Sequence, residues 1–177
     1  DNISRAISKS EISGDKNYEN LRYEGFGPYN IALIIETLTD NKNRSASSIR
    51  TILQKNGGRL GETGSTKYLF NSCGIIHIEK TKISEEDAFN IAINAGAKDC
   101  IQRNGIHEVI TKKEDFYKIK TSFEKKVDSF LYFGIEWRAL NYLNLNRDQS
   151  TKIIEILDTL EGLDDVQNVF TNANLES

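Results

Sequence analysis

Proline is nearly absent from this chain of 177 residues, with Pro28 as its sole example. That excludes a proline-rich linker between domains. Cysteine occurs twice, at Cys73 and Cys100. One disulfide is the arithmetic maximum, so the chain is no disulfide scaffold, and two buried thiols of a cytosolic protein are the expectation. No stretch approaches ~18 uninterrupted apolar residues, which excludes a membrane-spanning helix. The opening "DNISRAISKSEISGD" has no apolar core of a signal peptide and no starting methionine. Its Ile3, Ala6 and Ile7 have helical spacing and read as the tail of a helix, with a segment expected in front. Tandem repeats and low-complexity segments are missing too.

The chemistry-bearing motifs are equally sparse. There is no Cys-x-x-Cys, His-x-x-His or Gly-x-Ser-x-Gly. His77 and His107 fall in expected strands, distant in sequence from the cysteines. The paired acids Glu85-Glu86 and Asp164-Asp165 read as a helix start and a helix-exit turn. No nucleophile, base and orienting group come together. The expectation is a protein that is not an enzyme and has no cofactor, no metal site and no small-molecule substrate.

What is present is an ordinary globular composition, 38% apolar and 28% charged, sufficient to bury a core. The charge is segregated. Between Asn41 and Lys67 stand six cations, Lys42, Arg44, Arg50, Lys55, Arg59 and Lys67, against the single acid Glu62. This local surplus of five sits on a chain of net charge −3, so the remainder is strongly acidic. A basic patch on an acidic protein points to a polyanionic partner at that patch.

Periodicity predicts an α+β architecture. "IALIIETLT", Ile31 to Thr39, reads as a buried strand. After the polar loop "DNKNR", Ser45 or Ser47 is placed to cap a helix with Ile49, Ile52 and Leu53 inward. That helix ends at Asn56-Gly57, and Ser65 to Phe70 reads as a returning strand. The stretch from Gly74 to Arg138 then runs β-α-β-β-α-β. Its strand "GIIHIE" leads to a helix capped by Ser84 and stopped by Gly96. "KDCIQ" and "IHEVIT" flank the hairpin turn at Asn104-Gly105. Thr111 and Glu114 form a capping-box pattern before a helix that buries Phe116, Ile119 and Phe123, and "SFLYFGIEW" is the last strand. This order is the ferredoxin-like split βαβ pattern. Ala139 to Leu145 reads as strand-like. An amphipathic helix follows with Ile153, Ile154, Leu157 and Leu160 inward, then a final strand "DVQNVFTN". A tail of that size cannot bury its own face. The predicted organisation is a helical remnant over 1–13 and a discontinuous α+β domain over 14–73 plus 139–177, with a ferredoxin-like domain, 74–138, inserted into it. Phe130, Tyr132, Phe133, Trp137 and Tyr142 are expected in the core and between domains.

The densest glycine cluster is "QKNGGRLGETGS", Gln54 to Ser65. It fails as a nucleotide-binding P-loop. The glycines at 57, 58, 61 and 64 have the wrong register, Ser65 stands where lysine is required, and a helix precedes the loop rather than following it. Two readings remain: a tight return built on positive-φ glycines, or a loop whose backbone meets a polynucleotide phosphate chain alongside Lys55 and Arg59.

Four strings, "YEGFGP" (Tyr23 to Pro28), "ETLTDNKNR" (Glu36 to Arg44), "KNGGRLGETGS" (Lys55 to Ser65) and "LDDVQNVFTN" (Leu163 to Asn172), resemble the YebC/PmpR family in order and spacing. That family includes the mitochondrial translational activator of cytochrome c oxidase. The opening "DNISRAI" is similar to the segment that follows the family's basic N-terminal helical domain, and the resemblance implies that this sequence is without that domain. Two departures stand out: Tyr29-Asn30 where the family usually carries glycine after the proline, and "ALNYLNL" in place of a proline-containing stretch. The resemblance implies the same discontinuous fold and a cytoplasmic, bacterial-type regulator of gene expression that binds nucleic acid. The partner is DNA in a transcriptional role, or RNA on the ribosome in a translational one. A third possibility, from the acidic inserted domain, is a protein-binding adaptor. The candidate nucleic-acid contacts are Asn41, Lys42, Asn43, Arg44, Arg50, Lys55, Arg59 and Lys67, with Tyr23, Phe26 and Tyr29 as possible stacking residues.

Overall fold

A computed structural model describes residues 17–175; the helical remnant expected over 1–13 lies outside the described residues. Contacts divide the chain into two units, one formed by 17–71 with 139–175 and the other by Ser72–Arg138.

The first unit is built on an antiparallel sheet of order β3-β1-β2-β9, with β1 Glu19–Phe26, β2 Ala32–Thr39, β3 Arg59–Leu60 and β9 Val166–Thr171. The predicted strand at Ile31 to Thr39 is its interior member β2. Strand β1 was not anticipated, because "ENLRYEGF" mixes charge, glycine and aromatics without clean alternation. It pairs with β2 along its full length, from Glu19↔Thr39 to Phe26↔Ala32. Helices α1, Lys42–Lys55, and α4, Arg147–Glu161, cover one sheet face. Leu33 and Ile35 of β2, Ile49 and Leu53 of α1, and Ile153, Ile156 and Leu160 of α4 form the core. Along α4 the inward positions are thus 153, 156 and 160 at i, i+3, i+7. The expectation for Ile154 is corrected, since it is 44% exposed. The stretch 139–145 is also not a strand over its length. Ala139 ends the strand Tyr132–Ala139, and beyond it only β8, Leu143–Asn144, is extended, paired in parallel with β10, Ala173–Asn174.

The returning strand expected at Ser65 to Phe70 is corrected as well. Those residues form turns and a 3₁₀ turn at Lys67–Leu69, and β4 begins only at Phe70 and runs to Glu79. The return is made instead by the two-residue β3, because the following amides bond to a side chain rather than to a neighbouring strand, as shown below.

The second unit has the order β4, α2 (Glu85–Ala95), β5 (Asp99–Arg103), β6 (Ile106–Lys112), α3 (Phe116–Glu124), β7 (Tyr132–Ala139), with sheet order β5-β6-β4-β7. Ile76 and Ile78 of β4 and Val109 of β6 meet Ala88 and Ala92 of α2 and Phe116, Ile119 and Phe123 of α3. Both helices therefore lie on one face, and the fold class is α+β. Ser84 caps α2 by accepting the Asp87 N–H at 3.1 Å, and Gly96 ends it at φ 91°. The Thr111–Glu114 capping box does not form. Thr111 is still in β6, with its hydroxyl donating to the Lys112 carbonyl, and a 3₁₀ turn at Lys113–Asp115 leads into α3. Several aromatics expected inside are outside: Phe133 is 50% exposed and Tyr142 46%. Both cysteines are free thiols, Cys73 buried and Cys100 partly so.

Candidate nucleic-acid interface

Helix α1 reads KNRSASSIRTILQK and contains no acid. Its cap is Asn41, not Ser45 or Ser47: the Asn41 side chain accepts the Arg44 N–H at 3.0 Å. The helix consequently starts four residues earlier than Ser45 would allow. Lys42, Asn43 and Arg44 lie on its first turn rather than in a loop. All eight residues proposed from sequence as nucleic-acid contacts are exposed. On a helix advancing about 100° per residue, Asn43 and Arg50 share one stripe and Arg44 and Lys55 another, about 120° away. Ser47 and Gln54, also exposed, fall beside Arg50.

The cations differ in what faces them. Arg44 grips Asp165 through Nε–H to Oδ2 at 3.1 Å and NH2 to Oδ1 at 2.9 Å, and reaches Asp40 at 2.7 Å. Asp165 is buried and also accepts the Ser45 hydroxyl at 2.7 Å. Hydrogen bonds to Asp165 and Asp40 raise the Arg44 pKa further. Its charge is compensated internally, so Arg44 anchors the start of α1 to the start of β9. Among the described residues, no ion pair within 4.0 Å joins Lys42, Arg50, Lys55, Arg59 or Lys67 to an acid. Arg59 instead lies over the Phe26 ring, 4.4 Å from its centroid, a cation–π arrangement that leaves the guanidinium edge to solvent.

The glycine loop does not offer its backbone outward. Gly57, Gly58, Gly61 and Ser65 donate to Gln54, Leu53, Glu24 and Glu62 carbonyls. The next amides converge on one carboxylate, that of Glu24. Gly64 N–H donates to it at 2.7 Å, Thr66 N–H at 3.0 Å and Lys67 N–H at 2.6 Å. The reading in which these amides cradle a phosphate is therefore corrected: an internal carboxylate already occupies them. Burial alone would raise the Glu24 pKa, but the hydrogen bonds from Gly64, Thr66 and Lys67 outweigh it and hold it below the usual carboxylate range. Gly57 has φ 81°, and Gly58 passes so close to β1 that a Cβ there would meet the Phe26 carbonyl oxygen at 2.1 Å. Gly58→Ala is expected to destabilise the first unit by about 1–3 kcal/mol, read as a lower midpoint in urea unfolding. An unchanged midpoint would show that β3 can move away from β1.

The stacking candidates separate likewise. Tyr23 is packed against the core, and its hydroxyl donates to the Lys42 carbonyl at 3.1 Å. Phe26 lies under Arg59. Tyr29 is the exposed member, 44%, with Tyr29 and Asn30 in the left-handed region at φ 64° and 61°. That backbone accounts for glycine being usual after Pro28 in the family the motifs resemble. No helix among the described residues is long and apolar enough to cross a membrane. No group of three or more His, Cys, Asp or Glu among them could hold a metal ion.

Comparison with known proteins bears on this geometry. A family model described as "TACO1/YebC second and third domain" matches residues 18–173. The chain belongs to the TACO1/YebC family. It is 48% identical to a protein of Pelagibacter ubique named "probable transcriptional regulatory protein", over all of this chain and 73% of that one. It also superposes with a TM-score of 0.81, at 33% identity, on the crystal structure of a conserved hypothetical protein from Aquifex aeolicus, covering 92% of this chain and 67% of that one. The family strings meet in space as pairs. "YEGFGP" supplies Glu24 to the glycine string. "ETLTDNKNR" supplies Arg44 to Asp165 of "LDDVQNVFTN", and Asn172 of that string accepts the Ala32 N–H at 2.8 Å. Reading by motif missed Glu24, and it took Asp165 for part of a helix-exit turn without its partners Arg44 and Ser45; the signal in both cases was an acid embedded in a family string with no catalytic partner nearby.

Proposed function

We propose that this chain is a non-enzymatic, nucleic-acid-binding regulator of gene expression that acts in the cytoplasm on DNA, with Lys42, Arg50, Lys55, Arg59 and Lys67 neutralising backbone phosphates. The observation that carries the reading is an acid-free helix and its return loop presenting five cations without acidic partners, on a protein of net charge −3. Asn41, Asn43 and Gln54 supply hydrogen-bonding groups for sugar and phosphate beside them, and of the three stacking candidates Tyr29 is the exposed one. Arg44, with Asp165, sets the orientation of α1. The name of the Pelagibacter relative favours a transcriptional role.

Phosphate neutralisation predicts a salt dependence. For duplex DNA the slope of log K against log salt is about −0.9 per phosphate neutralised. The Lys42→Ala, Arg50→Ala, Lys55→Ala, Lys67→Ala variant is expected to flatten the slope by about 3–4 and to weaken binding across unrelated sequences alike. Fluorescence anisotropy with a labelled random duplex, titrated from 50 to 300 mM salt, reads both quantities. An unchanged slope would sink the assignment of this patch. A ribosomal RNA fragment bound more tightly than any duplex, with loss in the same variant, would move the role to translation.

A further inference from the structure

The second unit carries a groove of its own. Its floor and walls come from α2 and β5: Glu85, Glu86, Phe89 and Asn90 on one side, Cys100 and Gln102 on the other, enclosing about 420 Å³. Phe89 and Ile93, one helical turn apart, are 48% and 52% exposed. Two such side chains on one flank of a short helix form an uncovered apolar strip. Among the described residues, strand β5 is the end strand of its sheet and is bonded only to β6. Its edge is marked by Cys100, whose N–H bonds to the side chain of its own neighbour, Asp99, at 2.8 Å, in place of a strand partner. The rim is acidic. Glu85, Glu86, Asp87 and Asp99 are exposed, and among the described residues no salt bridge joins them to a cation. Burial, then Asp99 and Glu85, push the Cys100 thiol pKa up, which places both carboxylates within electrostatic reach of the groove.

A free strand edge beside an uncovered apolar helix flank is the arrangement that accepts an added strand. Main-chain hydrogen bonds run along the edge, and alternate side chains drop into the groove. We propose that this groove binds an extended peptide in which lysine or arginine alternates with apolar residues, added to β5 as a fifth strand. Successive side chains of a strand point to opposite faces, so the apolar ones lie in the groove against Phe89 and Ile93, and the cations, on the outer face, meet Asp99 and offset the charge of Glu85 and Glu86 at longer range. The peptide chemistry follows from the acidic rim: an acidic segment would face four carboxylates, and a neutral one would leave them without a partner.

The probe is an eight-residue peptide of alternating lysine and valine, capped at both ends, titrated into the full 15N-labelled chain. The amide signals of Asp99–Arg103 are expected to shift with Kd of about 10–500 µM. Phe89→Asp and the Glu85→Lys, Glu86→Lys double variant are each expected to weaken binding at least tenfold. Both replace exposed side chains, and unchanged signals from Ile76, Ile78 and Val109 verify that the unit is folded. Three results would overturn the proposal: unmoved Asp99–Arg103 signals at 1 mM peptide, equal binding of a peptide N-methylated at alternate residues, or the same signals shifting with single-stranded DNA and not with the peptide.

Discussion

Glu24→Ala is expected to lower the stability of the first unit by about 3–5 kcal/mol, among the largest effects of any single substitution outside the apolar core. The carboxylate is 2% exposed and receives three backbone N–H groups from the loop, with the Thr66 hydroxyl 3.2 Å from Oε1. Charge-assisted bonds of this kind contribute about 1.5–3 kcal/mol each before non-additivity. Alanine removes them together and leaves the Thr66 amide, itself buried, without an acceptor. The Gly64 to Lys67 segment loses its side-chain anchor on β1 and only the Gly61 N–H bond to the Glu24 carbonyl remains of these contacts, so β3 and the Arg59–Phe26 stack loosen with it. Hydrogen exchange reads the result directly: protection of the β1 and β2 amides should fall 100-fold or more, since each 1.4 kcal/mol is a factor of ten. Nucleic-acid affinity should fall as well, although no cation has been removed. A change of less than tenfold in protection would show that the loop holds its course through Gly58 and β3 alone.

This dependence explains which parts of the molecule were legible in the sequence. Elements whose cause is local were readable. The Ser84 cap, the Gly96 stop and the Asn104-Gly105 hairpin each rest on residues within four positions of one another. The inward positions of α1 and α3 follow from spacing. What escaped depends on partners far along the chain. Glu24 meets Thr66 across 42 positions and Asp165 meets Ser45 across 120, and no spacing rule announces either pair. The Ser45 cap failed for the same reason: the hydroxyl is engaged by Asp165 and Thr39, which leaves Asn41 to begin the helix. Ser65 to Phe70 has strand-like composition, yet a buried carboxylate on β1 claims its amides. The basic patch was visible as a charge run, while the distinction between Arg44 and the five unpaired cations required the position of two carboxylates.

Acidification is expected to weaken the second unit through Glu108. This carboxylate, 2% exposed, accepts from Arg103 Nε–H at 3.1 Å and Arg138 NH2 at 3.0 Å, and His77 Nε2 lies 2.7 Å away. Burial would raise its pKa; the hydrogen bonds from Arg138 and His77 and the charges of Arg138 and Arg103 outweigh burial and bring it down to about 2 from the ordinary 4.5. A folded-state pKa below the unfolded value means the unfolded chain binds the proton first as pH falls. The stabilisation is complete above about 4.5, declines between about 4.5 and 2, and amounts to on the order of 3 kcal/mol. The Glu108→Gln variant removes this step. It should be less stable than the parent near neutral pH, where Arg138 and Arg103 have lost their buried counter-charge, and its stability should fall less steeply on acidification. Urea unfolding followed by Trp137 fluorescence between pH 7 and 2.5 gives both curves. Parallel curves would mean that the two arginines find other acids when Glu108 is neutral, with Glu136, already 2.8 Å from Arg138 Nε, the nearest to take that place. Convergence of the curves toward low pH assigns the step to Glu108.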